Sequence, residues 1–337
     1  MSTRLDVLIV SLGSTGGLRA VDEELAGSLH RAGAKVAIAS ASPPSTVRTL
    51  MLTDLRWARA ARIAALTELE RARPRALIYS TTTAALFWPR PGAIRFDAPA
   101  AGNRGGRHGL WQRPLERRRL REAPLLLPQS EGALEELPAR LRHSLGPDGA
   151  LVLPVPVEPS GPPLPRDIAA ITYAANPSKK GLDVVLDAWR RAHRDGEELV
   201  VAGVEEHRLR DLGYAIPAKG IQVAGVLAPA GYRALLRRAR TYVCAARRED
   251  YGIAQLEALA DGCMLVTTPS PGPYVALPIA CELDPRLVGD DLATALRSAL
   301  DEPASDYAER ALRALTPLRR AEVDRLVADR LLVRLLA

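Results

Sequence analysis

RTYVCAARREDYGIAQLEALADG, residues 240–262, runs from an apolar segment through a polar loop into a helix that ends on glycine. Residues 240–246 have the short, continuous apolar character of a strand buried on both faces. Gly252 stands at the turn into the helix, where a Cβ would block the close approach of a second backbone or a ligand. Ile253 to Ala260 supplies small and apolar residues at helical spacing, and Gly262 closes the helix. Glu249 lies in the loop and Glu257 in the helix body, with seven residues between them. The unpaired N–H groups of such a helix start receive an anion such as a diphosphate, which puts Tyr251, Gly252 and Ile253 at the receiving turn. A carboxylate accepts two hydroxyl hydrogen bonds, so Glu257 suits a vicinal diol such as that of a ribose. An amphipathic helix with two incidental acids is the plainer reading of the same residues.

The same alternation extends in both directions. Upstream, IAAITYAA (168–175), ELVVAG (198–203) and GIQVAG (220–225) read as strands, and CMLVTT (263–268) follows as another. Helices fall at 181–194, about 205–213, 229–239 and 253–261. Nearer the N-terminus, LDVLIVSL (5–12), KVAIASA (35–41), ALIYS (76–80), AIRF (93–96), PLLLP (124–128) and ALVLP (150–154) form a second series of buried parallel strands. Its first helix places Leu18, Val21, Leu25 and Leu29 on one face, and Gly33 is its C-cap. Strand–helix alternation of this kind predicts an α/β chain of two doubly wound, Rossmann-like domains facing a cleft, with ligands beyond the carboxyl ends of the strands.

Between the two series, PVPVEPSGPPLPR (154–166) is too rich in proline for a helix or a central strand and reads as an interdomain linker. The expected domains are therefore 1–157 and 158–303. A helical tail, 304–337, broken at Pro317, packs back across them. Its last helix sets Leu326, Val327, Leu331, Leu332 and Leu335 against Arg320, Arg325, Arg330 and Arg334. A packed helix with a solvated arginine face is the plain reading, and a helix lying on a membrane surface the sharper one.

With 337 residues, 47% hydrophobic and 25% charged, the chain has the balance of about two globular domains rather than of a disordered segment. The net charge of +7 suits a phosphate-bearing partner, but the cations are nearly all arginine, a compositional bias that weakens the inference. Cys244, Cys263 and Cys281 lack metal-ligand spacing and read as reduced thiols buried in strands, hence a cytoplasmic protein, at most at the inner face of a membrane. No apolar run reaches the roughly 18 residues of a spanning helix, and MSTRLDVLIVSLG reads as a first strand rather than a signal peptide.

From Glu249 onward, E-D-Y-G-I-A-Q-L-E-A-L-A-D-G resembles the paired-glutamate motif of the family 4 retaining glycosyltransferases of GT-B fold (glycosyl transferases group 1), usually E-G-F-G-x-x-x-x-E-A-M-A-x-G. The resemblance implies that Glu249 contacts the donor sugar and Glu257 the nucleotide ribose. NPSKKGLDVVLDAW (176–189) adds a second match: Lys180, followed by Gly181 and a helix, is implied to pair with the donor phosphates as a point charge. The family has an arginine six residues before this lysine. Ala174 stands there instead, which leaves Lys179 or Arg247 to supply the second charge. Weaker likenesses, LVVAGVEE (199–206), LLLPQSEGALEEL (125–137) and PVPVEP (154–159), fall in the family's order over about residues 5–300.

In the N-terminal half, SLGSTGGLRAVDEELAGSL (11–29) lacks G-x-G-x-x-G spacing. The resemblance implies that Gly16 and Gly17 form a loop facing the donor phosphate and acceptor, and a tight structural turn is the alternative. FDAPAAGNRGGRHGLWQRPLERRRLRE (96–122) is Gly-rich and basic. The family often has a histidine after the preceding strand. Asp97, near that place, is expected to hold the acceptor hydroxyl or only to shape the loop, and Asn103, Arg104, Arg107 and His108 to bind an anionic acceptor. Arg113 to Arg121 read as a solvated face. Trp111 is the only aromatic among these cations, so nucleic acid is not an expected partner. His30, His143, His193 and His207 read as surface histidines.

The implied activity is transfer of a hexosyl group from a nucleoside-diphosphate sugar to a hydroxyl of a glycan, lipid or small molecule, with retention of configuration. Glu249, Lys180 and Asp97 are the catalytic candidates, and no metal or further cofactor is expected because no D-x-D motif is present. Peripheral contact with a membrane is the further association that the tail helix would allow. A nucleotide-sugar epimerase on the same scaffold and a catalytically silent sugar-nucleotide-binding subunit are the rival readings.

Overall fold

The computed structural model describes residues 5–45, 49–104, 106–216 and 218–337, with only the backbone of Leu50 and His108. The chain forms two units, Met1–Pro156 with Arg320–Ala337, and Val157–Arg319.

The first unit is built on β1 (Val7–Ser11), β2 (Val36–Ser40), β3 (Ala76–Tyr79), β4 (Ala93–Phe96) and β5 (Leu126–Pro128). All are parallel, in the order β2-β1-β3-β4-β5, with Val7 opposite both Val36 and Ala76. Strands of a parallel sheet are covered on both faces, which is why these segments are apolar without alternation. Val7 and Ile9 of β1 enter one core layer, and Leu8 and Val10 the other. The expected strand at 150–154 is not a strand of the sheet. It is an extended segment beside β5, with a bridge between Leu126 and Ala150 and with the Leu151 and Leu153 N–H groups donating to the Leu126 and Pro128 carbonyls; Pro128 has no N–H to return the next bond, so the ladder does not continue. On the helix Gly16–Arg31, Leu25 and Leu29 are buried as expected. Leu18 and Val21 are only half-buried, and Asp22 takes the inner position.

The second unit holds β6 (Ile168–Tyr173), β7 (Leu199–Ala202), β8 (Ile221–Gly225), β9 (Ala239–Cys244) and β10 (Met264–Thr267), parallel and in the order β10-β9-β6-β7-β8. Trp189 is fully buried here, and its indole N–H donates to the Gly220 carbonyl at 2.9 Å. Cys244 and Cys263 are buried. Cys281 is exposed on the helix Ala276–Leu283, not buried in a strand.

The tail divides. Tyr307–Ala314 belongs to the second unit, and the helical stretch from Arg320 to Leu336 to the first. There Val323, Val327 and Leu331 are buried with Leu25 and Leu29, so its apolar face is a core face. No helix among the described residues is long and apolar enough to cross a membrane.

Candidate active site

In the second sheet the connections leave β6 and β9 in opposite directions, so the loops after these neighbouring strands part at a topological switch point. The sequence candidates meet there. The loop after β6 ends at Gly181 and the loop after β9 at Gly252. Both glycines are left-handed (φ +63° and +87°), and each opens a helix that has no side-chain cap: Leu182–Ala192 and Ile253–Ala260. The first N–H groups of the helix Ile253–Ala260 have no intrahelical acceptor, whereas at the other helix the Leu182 N–H donates to the Pro177 carbonyl and the Val184 N–H to the Gly181 carbonyl, each at 3.0 Å. The loops touch: a Cβ on Gly181 would lie 1.8 Å from the Ala245 carbonyl oxygen, and the Arg247 N–H donates to the Lys179 carbonyl at 3.0 Å.

Lys180 Nζ lies 2.6 Å from Glu249 Oε2, and Gln255 Nε2 donates to the same oxygen at 2.9 Å. Glu249 is 8% exposed and Gln255 1%. Glu249 Oε1 receives no hydrogen bond from the described residues. The Glu249 backbone is fixed by its N–H donating to the Pro271 carbonyl at 3.0 Å. Behind Gln255 lie Cys244, Thr267 and Tyr274, joined by hydrogen bonds of 3.2–3.7 Å. Burial pushes the Cys244 thiol up, so it stays protonated and is no nucleophile.

Glu257 is half-buried, 3.4 Å from Arg233 Nη1. Burial pushes its carboxyl above the ordinary range, Arg233 pulls it back, and Asp261 adds to the rise. Tyr251 is buried, with its carbonyl accepting from the Val275 N–H at 3.1 Å, and Ile253 is half-buried beside it. Lys179 is exposed. Ala174 is buried at the end of the β6 run and adds no charge. Arg247, expected as a substitute, is 2.8 Å from Asp183 and donates to the Ser178 carbonyl, so its charge is already paired.

The first unit places its candidates less tightly. Gly16 and Gly17 open the helix Gly16–Arg31 behind Thr15, whose Oγ1 accepts from the Leu18 N–H. Nothing lies within 4 Å of a Cβ on Gly17, and on Gly16 only an arginine tip at 3.9 Å, so the unit's own packing does not require glycine there. Asp97 is half-buried, and its Oδ1 accepts from the Ala98 N–H at 2.8 Å. Arg104 grips Asp54 through two bonds of 2.7 and 3.2 Å, and the Asn103 Oδ1 accepts from Arg104 at 3.4 Å. Arg104 is therefore engaged within the fold, not held open for an anion. Arg107 is exposed on the turn Gly106–Gly109, and the His108 side chain lies outside the described residues. Arg118 and Arg119 pair with Glu122 on a largely exposed face. His193 is half-buried against Trp189 rather than fully on the surface.

Sequence reasoning missed Gln255, Arg233 and a buried group in the first unit. That group joins Ser11, Asp22 and Arg95: Ser11 Oγ donates to Asp22, and Arg95 Nη1 lies 3.4 Å from Asp22 Oδ1. Gln255 left one trace, a lone amide between Ala254 and Leu256 on an otherwise apolar helix face. Arg233 left none in so arginine-rich a chain.

Residues 166–302 match the family model described as Glycosyl transferases group 1. No curated protein sequence matches the chain. Solved structures match over nearly the whole length. Sucrose-phosphate synthase from Thermosynechococcus elongatus superposes with a TM-score of 0.69 at 14% identity, covering 96% of both chains. WaaG, a glycosyltransferase involved in lipopolysaccharide biosynthesis, gives 0.69 at 15% identity, covering 96% of this chain and 99% of the other. HepE from Anabaena, in complex with UDP and glucose, gives 0.68 at 12% identity over 98% and 99%. The likeness to these structures is one of fold, the two-sheet GT-B fold of glycosyltransferases. The second unit carries a glycosyltransferase domain.

Proposed function

Taking the group 1 glycosyltransferase domain of residues 166–302 as premise, we propose that the chain moves a hexosyl group from a nucleoside-diphosphate sugar to a hydroxyl acceptor with retention of configuration. The observation that carries this reading is the sharing of Glu249 Oε2 by Lys180 and Gln255, at a switch point beside the start of the helix Ile253–Ala260, which has no side-chain cap. Oε1 is left to accept from a sugar hydroxyl. Lys180 and the N–H groups following Gly252 are suited to the negative charge that grows on the leaving diphosphate as the bond from sugar C1 to oxygen breaks. Glu257 accepts from the ribose diol. Tyr251, Ile253 and Lys179 line the donor side, and Gly16 and Gly17 leave backbone open to it. The acceptor oxygen bonds to C1 on the face the diphosphate leaves, and the acceptor proton passes to the departing diphosphate oxygen. Asp97 orients the acceptor hydroxyl. Asn103, Arg107 and His108 meet the rest of the acceptor, a glycan, lipid or small molecule, while Arg104 holds their loop through Asp54. The reaction needs no metal in this reading, and the protein acts in the cytoplasm or at the inner face of a membrane.

A thermal-shift screen against nucleoside-diphosphate sugars identifies the donor, because a ligand stabilises according to its concentration over its Kd. Transfer with that donor is then followed by NMR of the product anomer. Glu249→Ala is expected to abolish transfer. Undiminished transfer by this variant would overturn the site, an inverted product would overturn the stereochemistry, and an altered free sugar nucleotide in place of a glycoside would favour an epimerase.

A further inference from the structure

Glu257 is not held by its own helix alone. The Arg233 guanidinium, on the helix Pro229–Arg238, reaches three partners: Nε donates to Asp261 Oδ2 at 2.6 Å, Nη2 to the Glu158 carbonyl at 2.7 Å, and Nη1 to Glu257 Oε1 at 3.4 Å. Asp261 is the counter-ion. Its side chain is fully buried, and it also accepts from the Ser160 N–H at 2.7 Å and from the Ser160 hydroxyl at 3.0 Å. Arg233 is thus fixed by two strong bonds before it meets Glu257. A guanidinium offers N–H groups in three directions in one plane; an ammonium at the same place would be drawn to Asp261 and leave Glu257. Glu257 Oε2 receives no hydrogen bond from the described residues.

Burial and the neighbouring Asp261 raise the pKa of the Glu257 carboxyl, and protonation of a carboxyl turns one acceptor oxygen into a donor. A ribose diol offers two O–H donors, so only the ionised form serves both. We propose that Arg233 is a positioning residue for nucleotide recognition: it keeps Glu257 ionised with Oε2 free, and so makes the site select ribonucleotides over 2′-deoxyribonucleotides. This rests on the donor-site reading above. The charged and titratable groups facing Glu257 are Arg233 and Tyr232 from the helix Pro229–Arg238 and Asp261 from the end of its own helix. Among the described residues Arg233 is the one cation of this group.

The test is calorimetric titration of the full chain with ADP, GDP, CDP and UDP and with their 2′-deoxy counterparts, at pH 8 and pH 6. Wild type is expected to bind at least one ribonucleotide about tenfold or more tighter than its deoxy form, the worth of a hydrogen bond to a charged group. That ratio is expected to hold from pH 8 to pH 6. In Glu257→Gln it falls toward one at both pH values. In Arg233→Gln it falls several-fold at pH 8 and further at pH 6, where Glu257 gains a proton. A wild-type ratio in Arg233→Gln, beside a lost ratio in Glu257→Gln, overturns the role of Arg233 and leaves the donor site standing. Should Arg233→Gln fail to fold, the wild-type profile still decides: a ratio that drops between pH 8 and pH 6 overturns the proposal. Binding of none of the four ribonucleotides by wild type overturns the donor site itself, and this role with it.

Discussion

Glu249 receives two donors on one carboxylate oxygen, one of them a cation 28% exposed and the other a buried amide. The two donors do different work. Lys180 can turn toward a diphosphate, because a lysine is a point charge on a flexible stem. Gln255 cannot leave, since it is enclosed and its amide also contacts Cys244. It therefore holds the carboxylate while Lys180 serves the leaving group. Lys180→Met is expected to lower kcat/KM about 10²- to 10³-fold, as loss of a charge-stabilising donor does. It should cost about 1.5–3 kcal/mol in urea unfolding, the range for a hydrogen bond to a charged group. Gln255→Leu, near in size, is expected to cost about 1.5–3 kcal/mol, since its acceptor is the same carboxylate, and to lower kcat about tenfold through a loosened Glu249, with donor Kd little changed. An equal loss in donor affinity and kcat would show that Gln255 binds rather than positions. The part of Gln255 and the sharing of one oxygen are not legible in the sequence. Glu249, Glu257 and Lys180 stand in a recognisable order along the chain, whereas the choice of one oxygen by both donors depends on how three separated segments fold together.

Glycine does its work at the level of the element, and the structure ranks three of the left-handed glycines. Gly181 and Gly252 cap the two helices of the site, and a Cβ on them would lie 1.8 Å from the Ala245 carbonyl oxygen and 2.8 Å from a Tyr274 ring carbon. Gly33, φ +89°, ends the helix Gly16–Arg31 with nothing within 4 Å. Gly33→Ala is expected to cost only the left-handed penalty, about 1–2 kcal/mol. Gly252→Ala adds displacement of Tyr274, and Gly181→Ala adds a backbone shift between the two loops of the site. Urea unfolding should order the losses Gly181 > Gly252 > Gly33, and donor binding should fail in the first two alone. A Gly181→Ala protein as stable as Gly33→Ala would contradict the close contact of the loops. Most elements could be read from the sequence for the reason that makes parallel strands conspicuous: burial on both faces leaves apolar runs between breakers. Residues 150–154 have that composition yet stand beside β5 with a single bridge, since composition reports burial and not ladder membership. The pairing of Arg104 with Asp54 spans 50 residues, and no local pattern announces it.

At the scale of the molecule, the chain passes from the first unit to the second at Pro156 and returns at Arg320. The returning segment is part of the first unit's core. Val323, Val327 and Leu331 are 3%, 0% and 0% exposed. Three such side chains contribute roughly 1.5–3 kcal/mol each, a large share of the about 5–15 kcal/mol that holds a domain folded. Ending the chain at Arg319 should therefore unfold the first unit. Hydrogen exchange would show β1 to β5 unprotected, and retained protection there would mean that the segment only covers the surface. The same dock carries a pH dependence. Asp324 pairs with Arg31 at 2.6 Å, and that hydrogen bond holds its carboxyl below the ordinary value. A carboxyl lowered in the folded state adds stability above its unfolded pKa of about 3.9, and loses it as pH falls through the folded value. Arg31 is 42% exposed, so solvent screens the pair to about 0.2–1 kcal/mol. Below pH 4 the amides of 320–336 should therefore exchange faster before β1 and β3 do. Arg31→Leu should exchange at pH 7 nearly as wild type does in acid at those amides. If acid loosens the segment no more than it loosens the strands, hydrophobic burial alone secures the dock.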